Sequence, residues 1–534
     1  MKAAPLCDGP SASAFGFEWL ADAVAPLSAY GARAFAGLRP FARGKESAAL
    51  ARARTIAEIA ATGETALDAA RACLRDVPDV AGPIARAAMG GILEDADFLE
   101  LLRFAEAAER LDGLLSEVPA IAPITGGAIR KTRAALELGR TGTAFYLSDA
   151  YAADLATARS NLQQKQAGFD QERERWLERV ERELGRDDLT GDEFVILRDD
   201  LGGPLPAGVR VLREAPTYWL CAPEFEPATL AALAARDAAF DAVAAAEERV
   251  RENISAVVAG LAAELDVTAA ALGEVDVLVA AACFTLRHDC RAADVVAEPV
   301  LAFEGGRFLP LAAELAAEGR EFVPIDVELH DVAVLTGPNM GGKSICLRTC
   351  GFIALCAAYG LPVPAAQARV GLFDEIAWLG IGSDERRLGG LLSSFAQEVV
   401  RVRDVLARSP KRLLVLIDEF ARTTTPPEGK ALLVALLERL RDRDARGMAA
   451  THLSGIAAAA GVRHFAVRGL RGIAAAPPAA DLHAALAALA DSMDYSIAEV
   501  RDDGAGSADA LALAAWLGLD SDLVAGAYRH LADS

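Results

Sequence analysis

No Cys-x-x-Cys pair occurs among the eight cysteines, and the whole chain holds six histidines. Little is left from which to build a metal cluster, and unpaired thiols fit a reducing, cytoplasmic compartment. Cys346, Cys350 and Cys356 recur at helical spacing just after a glycine-rich stretch and read as small buried core residues. An uninterrupted apolar run of membrane-spanning length is missing. The first residues, MKAAPLCDGP, lack the basic-then-apolar layout of a signal peptide. The expectation is a soluble cytoplasmic protein without a membrane partner. Positive charge is short as well: 54 Lys and Arg stand against 76 Asp and Glu, a formal net charge of -22. So acidic a chain must concentrate whatever basic surface it offers to nucleic acid. No fixed-period repeat is visible. What the chain does have is length and alanine: 534 residues, 53% hydrophobic, pointing to long helices and a large core.

Residues 1–48 are mixed, rich in Ala, Gly and Pro, and form an N-terminal extension of unassigned role. Residues 49–300 turn helical, with apolar residues three and four apart in DFLELLRFAEAAERLDGLLSEV. Within them, at about 155–265, two long helices flank a β insert at about 190–222, where EFVILRDD and VRVLREAPTYWLCAP are β-branched and aromatic. This reads as an antiparallel arm with a β-rich tip or, equally, as a helical domain with a hairpin insert. After Leu272, GEVDVLVAAACFTLRHD predicts another buried helix. Residues 301–480 alternate apolar strands with helices, the pattern of a mostly parallel sheet covered on both faces. Residues 481–534 read as a C-terminal helical segment. The fold class is therefore α/β plus all-α.

The chemistry concentrates between Asp331 and Thr451. GPNMGGKS satisfies G-x-x-x-x-G-K-[ST], with a strand before it and a helix after. In such a loop, here Gly337, Pro338, Asn339, Met340, Gly341 and Gly342, the glycines let backbone N–H groups converge on phosphates. Lys343 reaches the β- and γ-phosphates, and Ser344 offers its hydroxyl to Mg²⁺. KRLLVLIDEF is an apolar strand ending in Asp418, a candidate Mg²⁺ ligand, and Glu419, a candidate for orienting the attacking water. GMAATHLSGI is a third strand, ending in Thr451 and His452, where the histidine is placed to sense a γ-phosphate.

Together these residues resemble the MutS family of ATPases, whose ATPase module is an ABC-type P-loop domain. TGPNMGGKS is close to that family's phosphate loop, with Ile345 where a Thr is usual. FVPIDVEL resembles its FVPND strand, VPAAQARVGLFDEI its VPA…D-I segment, and DYSIAEVRDDGAGSADALALAAWLGL its C-terminal dimerisation segment. The long helices resemble the family's lever and clamp arms. The resemblance implies ATP and Mg²⁺ as cofactors and a dimer, homomeric or with a related subunit, in which one subunit's signature segment contacts the other's ATP. Here that segment is IGSDERRLGGLLSSFAQEV, with Ser393, Ser394 and Phe395 matching Ser-Thr-Phe. Its spacing from Asp384 and Glu385 resembles the branch without mismatch-recognition domains.

Two departures stand out. The family's DE-x-G-R-G-T becomes DEFARTTTPPEG, in which Arg422, Thr424 and Gly429 persist but Ala421 and Thr423 replace glycines. Pro426 and Pro427 stiffen the segment, which implies a changed dimer contact or communication path. In FGFEWL, Phe17 adjoins Glu18 rather than taking the Phe-x-Glu spacing of a mismatch wedge, so it reads as packing. The length leaves no room for mismatch-reading and connector domains ahead of the lever. Between Asp170 and Asp200 the arm carries twelve acidic residues against six arginines, which is unfavourable for phosphate contact. The resemblance implies an ATP-driven, clamp-like change on DNA, related to mismatch repair or recombination control. An ATP-dependent reactivating factor for a partner enzyme, such as a cobalamin-dependent aminomutase, is the alternative.

Overall fold

A computed structural model of the chain describes residues 1–2, 6–142, 144–187, 189, 193–201, 203–338, 341–380, 394–408, 410–470, 493–500, 511, 514–515 and 519–532. It divides into two compact units: residues 1–76, 110–123 and 270–534, and residues 77–109 and 124–269.

The first unit is built on a six-stranded sheet. From one edge, its strands are Glu375–Leu379, Leu413–Asp418, Arg446–Ala450, Val332–Thr336, Arg463–Leu470 and Met493–Glu499. The first five run parallel and the last pairs antiparallel. Leu413–Ile417 and Val332–Leu335 are buried at every position, which is why these strands read as continuous apolar runs rather than alternating ones. Helix Pro426–Asp442 covers one face through Leu433, Leu437 and Leu440, spaced to share one helix stripe. Pro426 and Pro427 do more than stiffen a loop, because they occupy the first turn of this helix, where a missing N–H costs nothing. A four-stranded sheet, Asp294–Val296, Gln367–Gly371, Leu301–Gly306 and Ile325–Leu329 in that order, lies ahead of the phosphate loop in the chain apart from its Gln367–Gly371 strand.

The N-terminal residues belong to this unit. Leu6 O accepts from Ile376 N at 2.8 Å and Ser11 Oγ from Trp378 N at 2.9 Å. They satisfy two outward N–H groups of the edge strand, which would otherwise be a template for pairing with another chain. Phe15 is fully buried against Trp378, and Phe17 packs on Tyr359.

The second unit contains the long helix Ala153–Leu184, the three-stranded antiparallel sheet Phe194–Leu197, Tyr218–Pro223 and Val209–Glu214 in that order, and the first part of helix Pro227–Arg287. Trp176, Val180, Phe194, Ile196 and Cys221 form its small core. The sequence suggests a separate helix after Leu272, but Pro227–Arg287 is one helix of 61 residues. Gly273 does not break it: a Cβ there would sit 2.7 Å from Tyr30 O, so the glycine serves close approach. One window of this alanine-rich helix is long and apolar enough to cross a membrane, contrary to the expectation of no such run, and 56% of it is buried within the protein.

Candidate functional site

Three parallel strands end side by side, and their C-terminal ends carry the chemistry. Val332–Thr336 leads into the glycine loop, Arg446–Ala450 beside it leads to Thr451 and His452, and Leu413–Asp418 comes next. This is where ligands bind in open parallel sheets. Gly337 and Gly342 hold φ of 147° and 84°, the left-handed half of backbone space that glycine enters freely. Gly342 is the N-cap of helix Lys343–Ala358 and supplies no side-chain cap, so first-turn N–H groups stay available to an anion. Asn339 and Met340 lie outside the described residues.

Lys343 is 6% exposed, and its Nζ donates to Gly337 O and Pro338 O at 2.9 Å each. Burial pushes its pKa down, against the pull of Glu419 and Asp418. Among the described residues its hydrogen-bond partners are these two neutral carbonyls, an arrangement for a buried ammonium that an anion would complete. Ser344 Oγ donates to Asp418 Oδ1 at 3.0 Å. Burial is the main cause that raises the Asp418 pKa, and the neighbouring Glu419 adds to it, while Ser344, Arg348 and Lys343 oppose the rise. A hydroxyl and a half-buried carboxylate converging on one point fit Mg²⁺, which takes one or two protein oxygens and leaves its other positions to water and phosphate. The residues present therefore fit a magnesium–polyphosphate ligand. Beside Gly341 and Gly342 opens a cavity of about 720 Å³ walled by Phe322, Ile345, Val467 and Tyr495, in the size range of small-molecule sites.

Glu419 sits in a strained turn. Its φ is 48° and that of Ala421 is 61°, each costing about 1–2 kcal/mol for a side-chain-bearing residue. Glu419 N donates to Ala450 O at 3.0 Å, and its carboxylate accepts from Arg422 at 2.8 Å. Ala421 stands where the related pattern carries glycine, and it holds a left-handed φ all the same. Thr451 is buried and accepts from Leu453 N at 3.1 Å, whereas His452 is exposed at the strand end. Ser393 is outside the described residues, and Ser394 opens helix Ser394–Arg408. The structure thus brings together Lys343, Ser344, Asp418 and Glu419.

Three contributors carried no signal in the sequence. Arg348 lies over the Trp378 ring at 5.6 Å and acts electrostatically on Asp418. Thr336 Oγ1 and His464 Nε2 meet at 2.8 Å on adjacent strands. Glu398, one turn into helix Ser394–Arg408, is 7% exposed, and its Oε2 accepts from Ala421 N at 2.8 Å. Its Oε1 is buried with no partner among the described residues. Burial raises the Glu398 pKa, partly offset by the Ala421 hydrogen bond and Arg422. An acid whose folded pKa lies above its unfolded one destabilises the fold when ionised. That penalty is absent below the unfolded pKa and grows as pH rises through the window up to the folded value. Glu398→Gln is therefore expected to raise the melting temperature at pH 8 and to lose that advantage as pH falls toward 4.5, in paired thermal melts; 4.5 is the ordinary carboxyl value.

A family model for MutS domain V matches residues 333–471. An "Endonuclease MutS2" of Symbiobacterium thermophilum is 38% identical over 211 residues, 39% of this chain and 26% of that protein. One from an Anaeromyxobacter species is 30% identical over 421 residues, 72% of this chain and 50% of that protein. A third, from Lactococcus lactis, is 42% identical over 131 residues, 24% of this chain and 16% of that protein. The chain thus spans half or less of the length of these relatives.

Proposed function

This chain belongs to the MutS family, and from that premise we propose that it is a cytoplasmic ATPase. It binds Mg·ATP, hydrolyses it as a dimer and couples turnover to a clamp-like rearrangement on DNA. The observation that carries this reading is the Lys343 ammonium. It is buried at the foot of a helix without a side-chain cap, its hydrogen-bond partners among the described residues being two loop carbonyls, one residue from the Ser344–Asp418 pair.

We assign the roles as follows. Lys343 exchanges its two carbonyls for phosphate oxygens and, with the loop amides, stabilises charge developing on the transferred group. Ser344 and Asp418 would hold Mg²⁺, which supplies charge neutralisation at the phosphates. The cavity beside Gly342, with Tyr495 and Phe322 in its walls, accommodates the nucleoside. Glu419, drawn off Arg422, orients the attacking water. His452 and, from the partner subunit, Ser393 or Ser394 complete the site in trans. The named relatives give the partner-enzyme reading no support.

The DNA contact is the testable half. In the arm, Arg175, Arg179, Arg198 and Arg249 are each paired with a carboxylate: Glu172, Glu226, Glu214 and Asp154. These pairs tie up part of the arm's positive charge, which lowers what it can offer to phosphates. Mobility shifts with duplex, mismatched and branched DNA, run with Mg·ATP across a salt series, are expected to show binding that weakens with salt. Tight Mg·ATP binding with no DNA retention at the lowest salt would remove the DNA half and leave the ATPase half standing.

A further inference from the structure

We propose that Glu398 is a positioning residue for the hydrolytic carboxylate. It sets Glu419 by pinning the left-handed turn at Ala421. The proposal rests on the ATPase reading for its kinetic consequence, but its structural content stands apart from it.

Four observations converge. Glu419 and Ala421 both hold positive φ, at 48° and 61°, and non-glycine residues persist there only when their surroundings fix them. The first anchor of the turn is Glu419 N on Ala450 O. The second is Glu398 Oε2, which accepts from Ala421 N at 2.8 Å. Finally, a carboxylate that is 7% exposed and leaves one oxygen without a partner among the described residues is a costly thing to bury, and such a group in a native fold calls for a reason. The reason is the acceptor it supplies to the Ala421 N–H, which a side-chain oxygen at this position provides. A glycine at 421 would hold the turn unaided, and an alanine needs the strap.

Placement adds a consequence. Glu398 lies one helical turn after Ser394, at the start of helix Ser394–Arg408. A shift of that helix is thereby felt at the backbone of Glu419 in the same chain.

The test uses the full-length chain and three variants: Glu398→Met, Glu398→Gln, and Glu398→Met combined with Ala421→Gly. Thermal melts establish folding. Two readouts follow, amide hydrogen exchange across residues 417–425 without nucleotide, and steady-state phosphate release. Glu398→Met is expected to speed exchange at Ala421 about tenfold or more. It should lower kcat about tenfold or more while leaving KM for ATP within about twofold, the split expected of a positioning role. Glu398→Gln keeps an acceptor and should stay within about threefold of the unaltered chain on both readouts. Ala421→Gly should return kcat of the Glu398→Met variant to within about threefold, because glycine adopts the turn at no cost. The proposal is overturned if Glu398→Met behaves as the unaltered chain, if Gln falls as far as Met, or if glycine rescues nothing. Should the unaltered chain bind ATP and release no phosphate, the ATPase reading fails, and the exchange result alone decides the strap.

Discussion

Glu419→Gln is expected to bind Mg·ATP as the unaltered chain does and to release phosphate about 100- to 1,000-fold more slowly, the scale of losing a positioned base or water-orienting group. The two halves of that expectation come from different parts of the site. In the proposed mechanism affinity comes from Lys343, the loop amides and the Ser344–Asp418 pair, whose hydrogen bonds the substitution leaves in place; what it removes is the charge of Glu419 beside Lys343 and Asp418. Turnover needs a carboxylate free to accept from water, and glutamine keeps the shape of Glu419 without its charge. The backbone anchor on Ala450 O is indifferent to the change, so the left-handed turn survives it. Equilibrium nucleotide binding and single-turnover hydrolysis, measured on the same preparation, separate the two. Unaltered turnover would take Glu419 out of the mechanism. A parallel loss of binding would mean that its charge holds the metal, a role that the contact with Ser344 assigns to Asp418. Asp418→Asn supplies the contrast, since its damage should appear first as weaker Mg²⁺-dependent binding.

The part of the site built from local pattern was legible in the residues. Residues 332–335 and 413–417 are buried on both faces, so each reads as an unbroken apolar run. The glycines, lysine and serine between strand and helix are fixed by the needs of a phosphate loop. The β-branched segments of the second unit are strands for the same local reason. What the residues could not show depends on distant partners. Nothing near Glu398 marks it as more than one acid on an amphipathic helix, because its partner is a backbone N–H in another segment. Gly273 resembles a break until Tyr30 is found against it. Residues 1–48 are compositionally bland, since their role is carried by a few long-range contacts such as Ser11 with Trp378. Ala421 is the most instructive case. It holds a left-handed φ of 61° without being glycine, and its N–H donates to Glu398 on another element, a contact the local sequence does not announce.

Phe15→Ala should cost about 3–5 kcal/mol of stability, as expected for deleting a fully buried phenyl ring. Phe15 is 0% exposed, meets Trp378 edge-on at 5.9 Å, and lies so close to Gly351 that a Cβ there would fall 2.1 Å from its ring. The glycine in helix Lys343–Ala358 is thus the socket for a residue of the N-terminal segment. Gly351→Ala alone should also destabilise, by overpacking, on the order of 1–3 kcal/mol. Combined with Phe15→Ala it should cost almost nothing further, because the space it needs has been vacated; contacting residues are where additivity fails. Urea unfolding of the two single variants and the double variant measures the coupling. Strict additivity would show that the ring and the helix do not meet, and would detach the N-terminal segment from the unit that carries the phosphate loop. The same ring supports Trp378, over which Arg348 lies, and Arg348 acts on Asp418. Phe15→Ala should therefore also weaken Mg²⁺-dependent nucleotide binding at temperatures well below its melting transition, a loss that overall destabilisation alone would not produce.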